Sequence, residues 1–261
     1  MNTNVSKKIV SMALGSAILI ASTVVGASNI NEELVKEDHI ITDGEVTIQR
    51  KDTGGLFVQE VEGRRIAKEI ISSDWSQEYI KDAHALGLLK RTNLEKYADF
   101  REDIDRNDFL DIVMNYVRLN VTQYKLDLMK VKYPKFIDTD NPNIIEAADL
   151  GIVKGERNPQ NNKMSFSPNR NITREEIAVI LHNAEEVIRG EQSKANSTVE
   201  LRVFKDRRDI SWWARKGVAT VSEMGAIQGR EDGTFAPKNP AKREEAVKIV
   251  VEMLNRRNQY K

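Results

Sequence analysis

The chain contains no cysteine in 261 residues, which excludes disulfides, thiolate metal sites and a lipid-modified N-terminal cysteine. Whatever stabilises it must come from its core. Only three histidines occur, His39, His84 and His182, and they lie in unrelated contexts, with no His-x-x-x-His pair and no Ser/His/Asp grouping. Asp138-Thr139-Asp140 starts like a calcium loop but continues with Pro142 and Asn143, where such a loop needs Asp or Asn and then Gly. No metal site, cofactor or catalytic constellation is therefore expected. Paired acids are too common in a chain that is 31% charged to single out a glycosidase-like pair. A net excess of charge is missing too. Forty basic side chains balance forty acidic ones, which gives no reason to invoke nucleic acid or an anionic membrane surface.

Long apolar runs are confined to the N-terminus. Lys7 and Lys8 precede a small-residue, apolar stretch from Ile9 to Val25, and Val25-Gly26-Ala27 resembles a signal-peptidase site. Residues 1–27 thus read as a secretory signal peptide, the alternative being an uncleaved anchor. Residues 28–71 form a lead segment in which Glu45–Gln49 and Leu56–Glu60 flank Thr53-Gly54-Gly55, the pattern of a β-hairpin. Arg64 to Ile71 reads as a short helix leading onward.

What dominates the remainder is repetition. Three glycines, Gly87, Gly151 and Gly225, each follow the same apolar register. Seven residues before them stand Ile80, Ile144 and Val218; four before, Ala83, Ala147 and Val221; one before, Leu86, Leu150 and Met224. Apolar residues so spaced share one helix face. About twenty residues later come Arg106, Arg174 and Arg243, each opening a second helix whose apolar positions also coincide: Phe109, Ile177 and Ala246, then Ile112, Ile180 and Ile249, then Val113, Leu181 and Val250. Each copy is a helix, a glycine-ended turn, a polar loop and a helix, and none can bury its apolar faces alone. The arginine-to-arginine spacing exceeds that of ordinary helix-pair solenoids, so the expected fold is all-α, with three helix-loop-helix repeats in a closed, pseudo-three-fold bundle and the short N-terminal hairpin beside it. The copies span residues 72–135, 136–190 and 204–261, with a polar linker at 191–203. Leu119 to Lys135 reads as an extension of the second helix of copy one, turning at Tyr133-Pro134.

The motifs resemble S-layer homology domains, whose pattern runs Phe-x-Asp, a Trp-containing helix, Gly-Ile-x-x-Gly, Asp-Gly-x-Phe-x-Pro and Thr-Arg-x-Glu. Copy three matches with Phe204 and Asp206, Trp212-Trp213-Ala214, Gly225 to Gly229, Asp232-Gly233-Thr234-Phe235-Ala236-Pro237 and Arg243-Glu244-Glu245, with Lys242 in place of the threonine. Copy two keeps Phe136, Asp138, Gly151 to Gly155, Phe166-Ser167-Pro168 and Thr173-Arg174-Glu175, without the tryptophan. Copy one keeps Trp75, Gly87, Phe100 and Ile104-Asp105-Arg106, but has Arg91 for the second glycine and no Phe-x-Pro proline. The resemblance implies a non-catalytic anchor, secreted and held at the cell wall or S-layer of a Gram-positive envelope. It would bind a secondary cell-wall polysaccharide, often pyruvylated, through grooves between copies. The alternative is an envelope protein-interaction scaffold that displays the same bundle to other envelope proteins.

Thr173-Arg174-Glu175-Glu176 has the form of a capping box, which explains the threonine and the second glutamate but not the arginine. A cation in the first turn opposes the helix dipole. Two readings resolve the conflict. An anionic ligand would suit both the free amides of a helix start and a guanidinium fork, or the arginine pairs internally with Asp138, Glu175 or an acid of a neighbouring copy. In copy three, Asn239-Pro240 is expected to supply the missing cap. Trp75 and Trp213 open first helices, where an aromatic serves either packing or a sugar face. Gly155 and Gly229 are expected to hold positive φ in the loop. The residues to which the resemblance assigns polysaccharide binding are therefore Arg174, Arg243, Arg106, Thr173, Trp213, Trp75, Gly155 and Gly229.

Overall fold

A computed structural model describes residues 40–41, 54–61, 64–90, 99–191 and 201–259; the signal segment, the stretch 45–49, His39 and Arg91 lie outside them. Two compact units divide the chain, one up to Gln77 and one from Glu78. The first contains an antiparallel three-stranded sheet in the order β1-β3-β2, with β1 at Ile40–Ile41, β2 at Gly54–Val61 and β3 at Arg64–Ile71. Residues 56–60, one arm of the expected hairpin, lie in β2, which pairs with β3, Leu56 with Glu69 and Glu60 with Arg65, while the other arm falls outside the described residues. Arg64–Ile71 is accordingly a strand, not a helix. The Gly54-Gly55 pair is the stronger turn signal by type, yet the two residues between the paired strands are Glu62-Gly63, and the alternation on either side decides the register.

Among the described residues the second unit has seven α-helices, counting α1, which begins at the unit boundary. They are α1 Gln77–Ala85, α2 Arg106–Asn120, α3 Gln123–Met129, α4 Pro142–Asp149, α5 Arg174–Arg189, α6 Arg215–Glu223 and α7 Arg243–Gln259. Helices α1, α4 and α6 are the first helices of the copies, and α2, α5 and α7 the second. Each first helix stops in the same way. Gly87, Gly151 and Gly225 take φ of 75°, 75° and 64°, and the next amide turns back to a carbonyl five residues earlier, as in Leu88 to Ala83, Ile152 to Ala147 and Ala226 to Val221. This is a Schellman stop, and the left-handed glycine is its requirement. All nine apolar positions read from the second helices are buried, as are the positions four and seven before each glycine.

Closure of the ring is visible in the backbone. Two residues before each arginine, Ile104 N–H donates to the Ala241 carbonyl (3.0 Å), Ala241 N–H to Ile172 (3.1 Å) and Ile172 N–H to Ile104 (3.0 Å). A triangle of this kind needs three equivalent segments around one axis, which an open stack cannot supply. Inside it α2, α5 and α7 converge. The buried Glu185 carboxylate accepts from the Tyr116 hydroxyl, from Arg189 at 3.0 Å and from Arg257 at 3.1 Å, tying one residue from each copy's second helix to a single acid. Burial, with the Glu185 charge beside it, raises the pKa of the Tyr116 hydroxyl, which stays a donor.

The segment after α2 departs from expectation. The helix ends at Asn120, Val121 is extended (φ −135°, ψ 133°), and Thr122 caps a separate helix, α3. A β-branched pair whose threonine hydroxyl can bond an amide three residues on favours a break over continuation.

Candidate functional site

Each arginine ends up in the neighbouring copy. Arg106 Nε donates to the Phe166 carbonyl at 3.1 Å, its guanidinium carbon sits 4.4 Å from the Phe166 ring centroid, and Nη1 reaches Glu176 at 2.9 Å. Arg174 repeats this one copy on, with Nε to the Phe235 carbonyl at 2.8 Å, the ring centroid at 5.3 Å and Glu245 at 3.8 Å. Arg243 closes the circle onto copy one through the Asp99 carbonyl (3.0 Å) and Glu102 (2.7 Å). Arg106 and Arg174 are 8% and 6% exposed, and burial lowers the pKa of both guanidinium groups. The cost of that burial is offset by the carbonyls, ring faces and carboxylates they meet.

The target of each arginine is a compact knot of motif residues. In copy two Phe136 lies 5.5 Å from Phe166, and the Asp138 carboxylate accepts from the amides of Phe166 (2.9 Å) and Ser167 (2.7 Å). In copy three Phe204 lies 5.3 Å from Phe235, and Asp206 accepts from Phe235 and Ala236, both at 2.8 Å. Ser167 and Ala236 hold φ of 58° and 55°, a left-handed conformation that aims two successive amides at one carboxylate. Gly155 and Gly229 complete the knots but do not take positive φ. A Cβ on Gly155 would lie 2.4 Å from Phe136 Cε1 and 2.5 Å from the Ser165 carbonyl, and one on Gly229 3.1 Å from Phe204. These glycines are required by closeness to an aromatic ring.

The helix-start amides are also engaged. Arg106 and Asn107 donate to the carbonyls of Arg170 and Pro168, Arg174 and Glu175 to those of Asn239 and Pro237, and Arg243 and Glu244 to those of Glu102 and Phe100. An argument for an anion resting on free amides therefore does not hold here. The register also places Phe100 where the other copies have proline, not where they have phenylalanine. Thr173 makes the expected capping box with Glu176. Asn239-Pro240 do not cap α7, which begins at Arg243. Lys242 precedes it with its amide held by Glu245 at 3.2 Å, while Asn239 serves α5 through its carbonyl.

Beside Arg106 and Arg174 the next residue faces the start of the following copy, and the junctions between copies differ. Between copies two and three, the buried Glu175 accepts from the Ser211 amide (3.0 Å) and hydroxyl (3.1 Å) and pairs with Lys238, whose ammonium lies 6.0 Å from the Trp213 ring centroid. Trp213 is 45% exposed. Between copies one and two the same place is taken by amides and an acid. Asn141 Nδ2 donates to Asn107 (2.7 Å) and Asn143 Nδ2 to Asp111 (2.7 Å). Between copies three and one, Lys242 meets Asp103 (2.6 Å) and Lys248 lies 5.7 Å from the Tyr79 ring. Trp75, 48% exposed, belongs to the first unit, in a single 3-10 turn at Asp74–Ser76. Lys238 and Asn141 were missed in the sequence, and Glu175 was named there as a partner for Arg174, whereas it meets Ser211 and Lys238. The signal available was the acid or amide directly after each arginine.

His84 and His182 stand apart, the latter buried with Nδ1 3.0 Å from the Thr220 hydroxyl, and no cluster suited to a metal occurs among the described residues. Nor is any described helix long and apolar enough to cross a membrane.

The fold defines a repeat-built module whose motif residues lock successive copies into a ring. The sequence model of the S-layer homology domain matches residues 137–178 and 203–247, and the chain is an S-layer homology domain protein. It is 26% identical over 189 residues to exoglucanase XynX of Acetivibrio thermocellus, which covers 72% of this chain and 16% of that protein. It is 28% identical over 189 residues to an endoglucanase of Bacillus sp. (71% and 18%), and 34% identical over 104 residues to the surface-layer 125 kDa protein of Lysinibacillus sphaericus (40% and 8%). The chain thus spans less than a fifth of the length of these relatives. What they share with it is the module that anchors surface proteins to cell-wall polysaccharide, which places this chain at the cell surface, in association with the S-layer.

Proposed function

We propose that the bundle is a non-catalytic envelope anchor that takes anionic, pyruvylated stretches of secondary cell-wall polysaccharide in the grooves between its copies. The observation that carries this reading is the groove between copies two and three, where the half-exposed Trp213 face and the Lys238 ammonium stand together above the buried Glu175. An indole face suits a sugar ring, and an ammonium beside it suits a carboxylate on that ring. In this reading Arg106, Arg174 and Arg243, with Thr173, Gly155 and Gly229, shape the floor and loop of the grooves, and Trp75 offers an exposed aromatic face on the first unit. Two or three modest sites on one polymer would raise avidity by about 10² to 10⁴ over a single site where the geometry permits.

The test is co-sedimentation of the full chain with cell-wall sacculi, before and after extraction of the secondary polymer. Pelleting with intact sacculi and release after extraction supports the anchor. A chain that stays in the supernatant with intact sacculi overturns it in favour of the envelope scaffold.

A further inference from the structure

Copy three carries a second feature on its outer surface, built by two consecutive turns. The Asp209 amide donates to the Asp206 carbonyl (2.9 Å), leaving Arg207 and Arg208 at the corners of the first turn. The Ala214 amide donates to the Ser211 carbonyl (2.9 Å), leaving Trp212 and Trp213 at the corners of the second. Between them Ile210 is buried and fixes both turns to the core, as do Phe204 before and Ala214 after. Arg215 follows as the first residue of α6.

The chemistry of this surface is unlike the rest of the bundle. Trp212 is 83% exposed, more than any other large apolar side chain in the described protein. Arg202, Arg207, Arg208 and Arg215 are all exposed, and none has an acidic partner among the described residues. Elsewhere exposed cations pair routinely, as Arg101 does with Asp99, Arg170 with Glu176 and Lys242 with Asp103. Two acids lie in the stretch. Asp206 is turned inward onto the Phe235 and Ala236 amides, which leaves Asp209 as the acid of that surface. Four exposed arginines between positions 202 and 215, in the same short stretch as the open indole of Trp212, are a local concentration of positive charge on a chain of zero formal charge, and of them Arg207 meets a backbone carbonyl, that of Phe204 at 3.5 Å.

We propose that this Arg/Trp surface is a second polymer contact, outside the grooves, for a glycan carrying phosphodiester groups. Guanidinium forks bind phosphate oxygens in pairs, and the exposed Trp212 face stacks on a neighbouring sugar ring. The choice of a glycan rests on the wall-anchor reading; the choice of phosphate rests on the arginines. Contact of this kind is electrostatic and loosens with salt, unlike the buried ion pairs of the grooves.

The experiment titrates the full chain with a phosphodiester-bearing mannan, with phosphate-free mannan of the same size and single-stranded DNA of matched charge as comparisons, reading tryptophan fluorescence. The phosphomannan is expected to bind and to quench fluorescence, with Kd rising about tenfold between about 25 and 200 mM NaCl. Arg207→Gln/Arg208→Gln/Arg215→Gln should weaken it about tenfold at unchanged melting temperature, and Trp212→Ala should remove most of the quench. The groove variant Lys238→Ala, which leaves both turns intact, should bind phosphomannan as the wild type does, so that failure of the groove reading and failure of this one are separable. Wild-type affinity in the triple arginine variant overturns the proposal. Equal binding of phosphate-free mannan, or tighter binding of the DNA, overturns it as well.

Discussion

Asp138 offers the most informative single perturbation. Its carboxylate accepts from the amides of Phe166 and Ser167 and from the Ser165 hydroxyl at 2.7 Å, and it holds Ser167 in its left-handed conformation. In Asp138→Asn one oxygen becomes an NH2 group that faces donors: in the Oδ1 place it meets the Phe166 amide, which keeps only its longer 3.1 Å bond, and in the Oδ2 place it meets the Ser167 amide and the Ser165 hydroxyl. Bonds to a charged acceptor contribute roughly 1.5 to 3 kcal/mol when buried, but solvent reaches Asp138, so about 1 kcal/mol apiece is the better scale. The loss of one to two bonds is then about 1 to 2 kcal/mol, a fall of about 2 to 8 °C in Tm for a unit of this size. The pH dependence checks the cause. Burial pushes the Asp138 pKa up, but the Phe166 amide, the Ser165 hydroxyl and the Ser167 amide outweigh it and hold it below the ordinary carboxylate value. A depressed folded pKa means that the stabilisation is complete above the unfolded value of about 3.8 to 3.9 and is lost as pH falls through the folded one. Thermal melts of wild type and Asp138→Asn should therefore differ most near neutral pH and converge in strong acid. A gap that persists unchanged at a pH where the carboxyl is protonated would refute the reasoning.

Three further outcomes follow from packing. Gly217 sits where α6 presses on α5, and a Cβ there would be 2.9 Å from the Ala178 carbonyl and from Val179 Cα. Gly217→Ala should therefore destabilise by about 1 to 3 kcal/mol in urea titration, although glycine to alanine in a free helix stabilises. Glu185→Ala strands Arg257 and the Tyr116 hydroxyl in the core and should cost about 3 to 5 kcal/mol, with a Tyr116→Phe/Glu185→Gln double-mutant cycle showing coupling. Thr173→Ala removes the capping box and should cost about 1 kcal/mol by the same titration.

Much of the fold was legible because the three copies check one another. A single apolar register repeated around Gly87, Gly151 and Gly225 is hard to produce by chance, and the structure buries its positions four and seven before each glycine, while of the residues directly before the glycine Leu150 is buried, Met224 half-buried and Leu86 exposed. The closed ring followed from repeat length, and the capping box of Thr173 from its four residues alone. An acid of a neighbouring copy was among the partners the sequence offered the arginines; what stayed hidden were the backbone carbonyl and phenyl ring met there. The arginines open their helices in sequence, yet their carbonyl partners lie in the next copy, about sixty residues on for Arg106 and Arg174 and back in copy one for Arg243. No local pattern reports such a contact. Gly155 and Gly229 were read by the commonest reason for a loop glycine, positive φ, when the actual reason was a phenylalanine ring against the backbone. The β3 strand was read as a helix because eight residues with mixed charge carry a weak period, and pairing to β2 decides their state.

The central claim is that a groove between copies holds wall polysaccharide. Its most direct measurement is calorimetric titration of the purified secondary wall polymer into the full chain and into Trp213→Ala/Lys238→Ala. Binding by the wild type, weakened about tenfold or more in a variant of unchanged Tm, is the predicted result. Wild-type affinity in that variant would contradict the groove between copies two and three as the site, and no heat with the wild type would contradict polysaccharide binding itself.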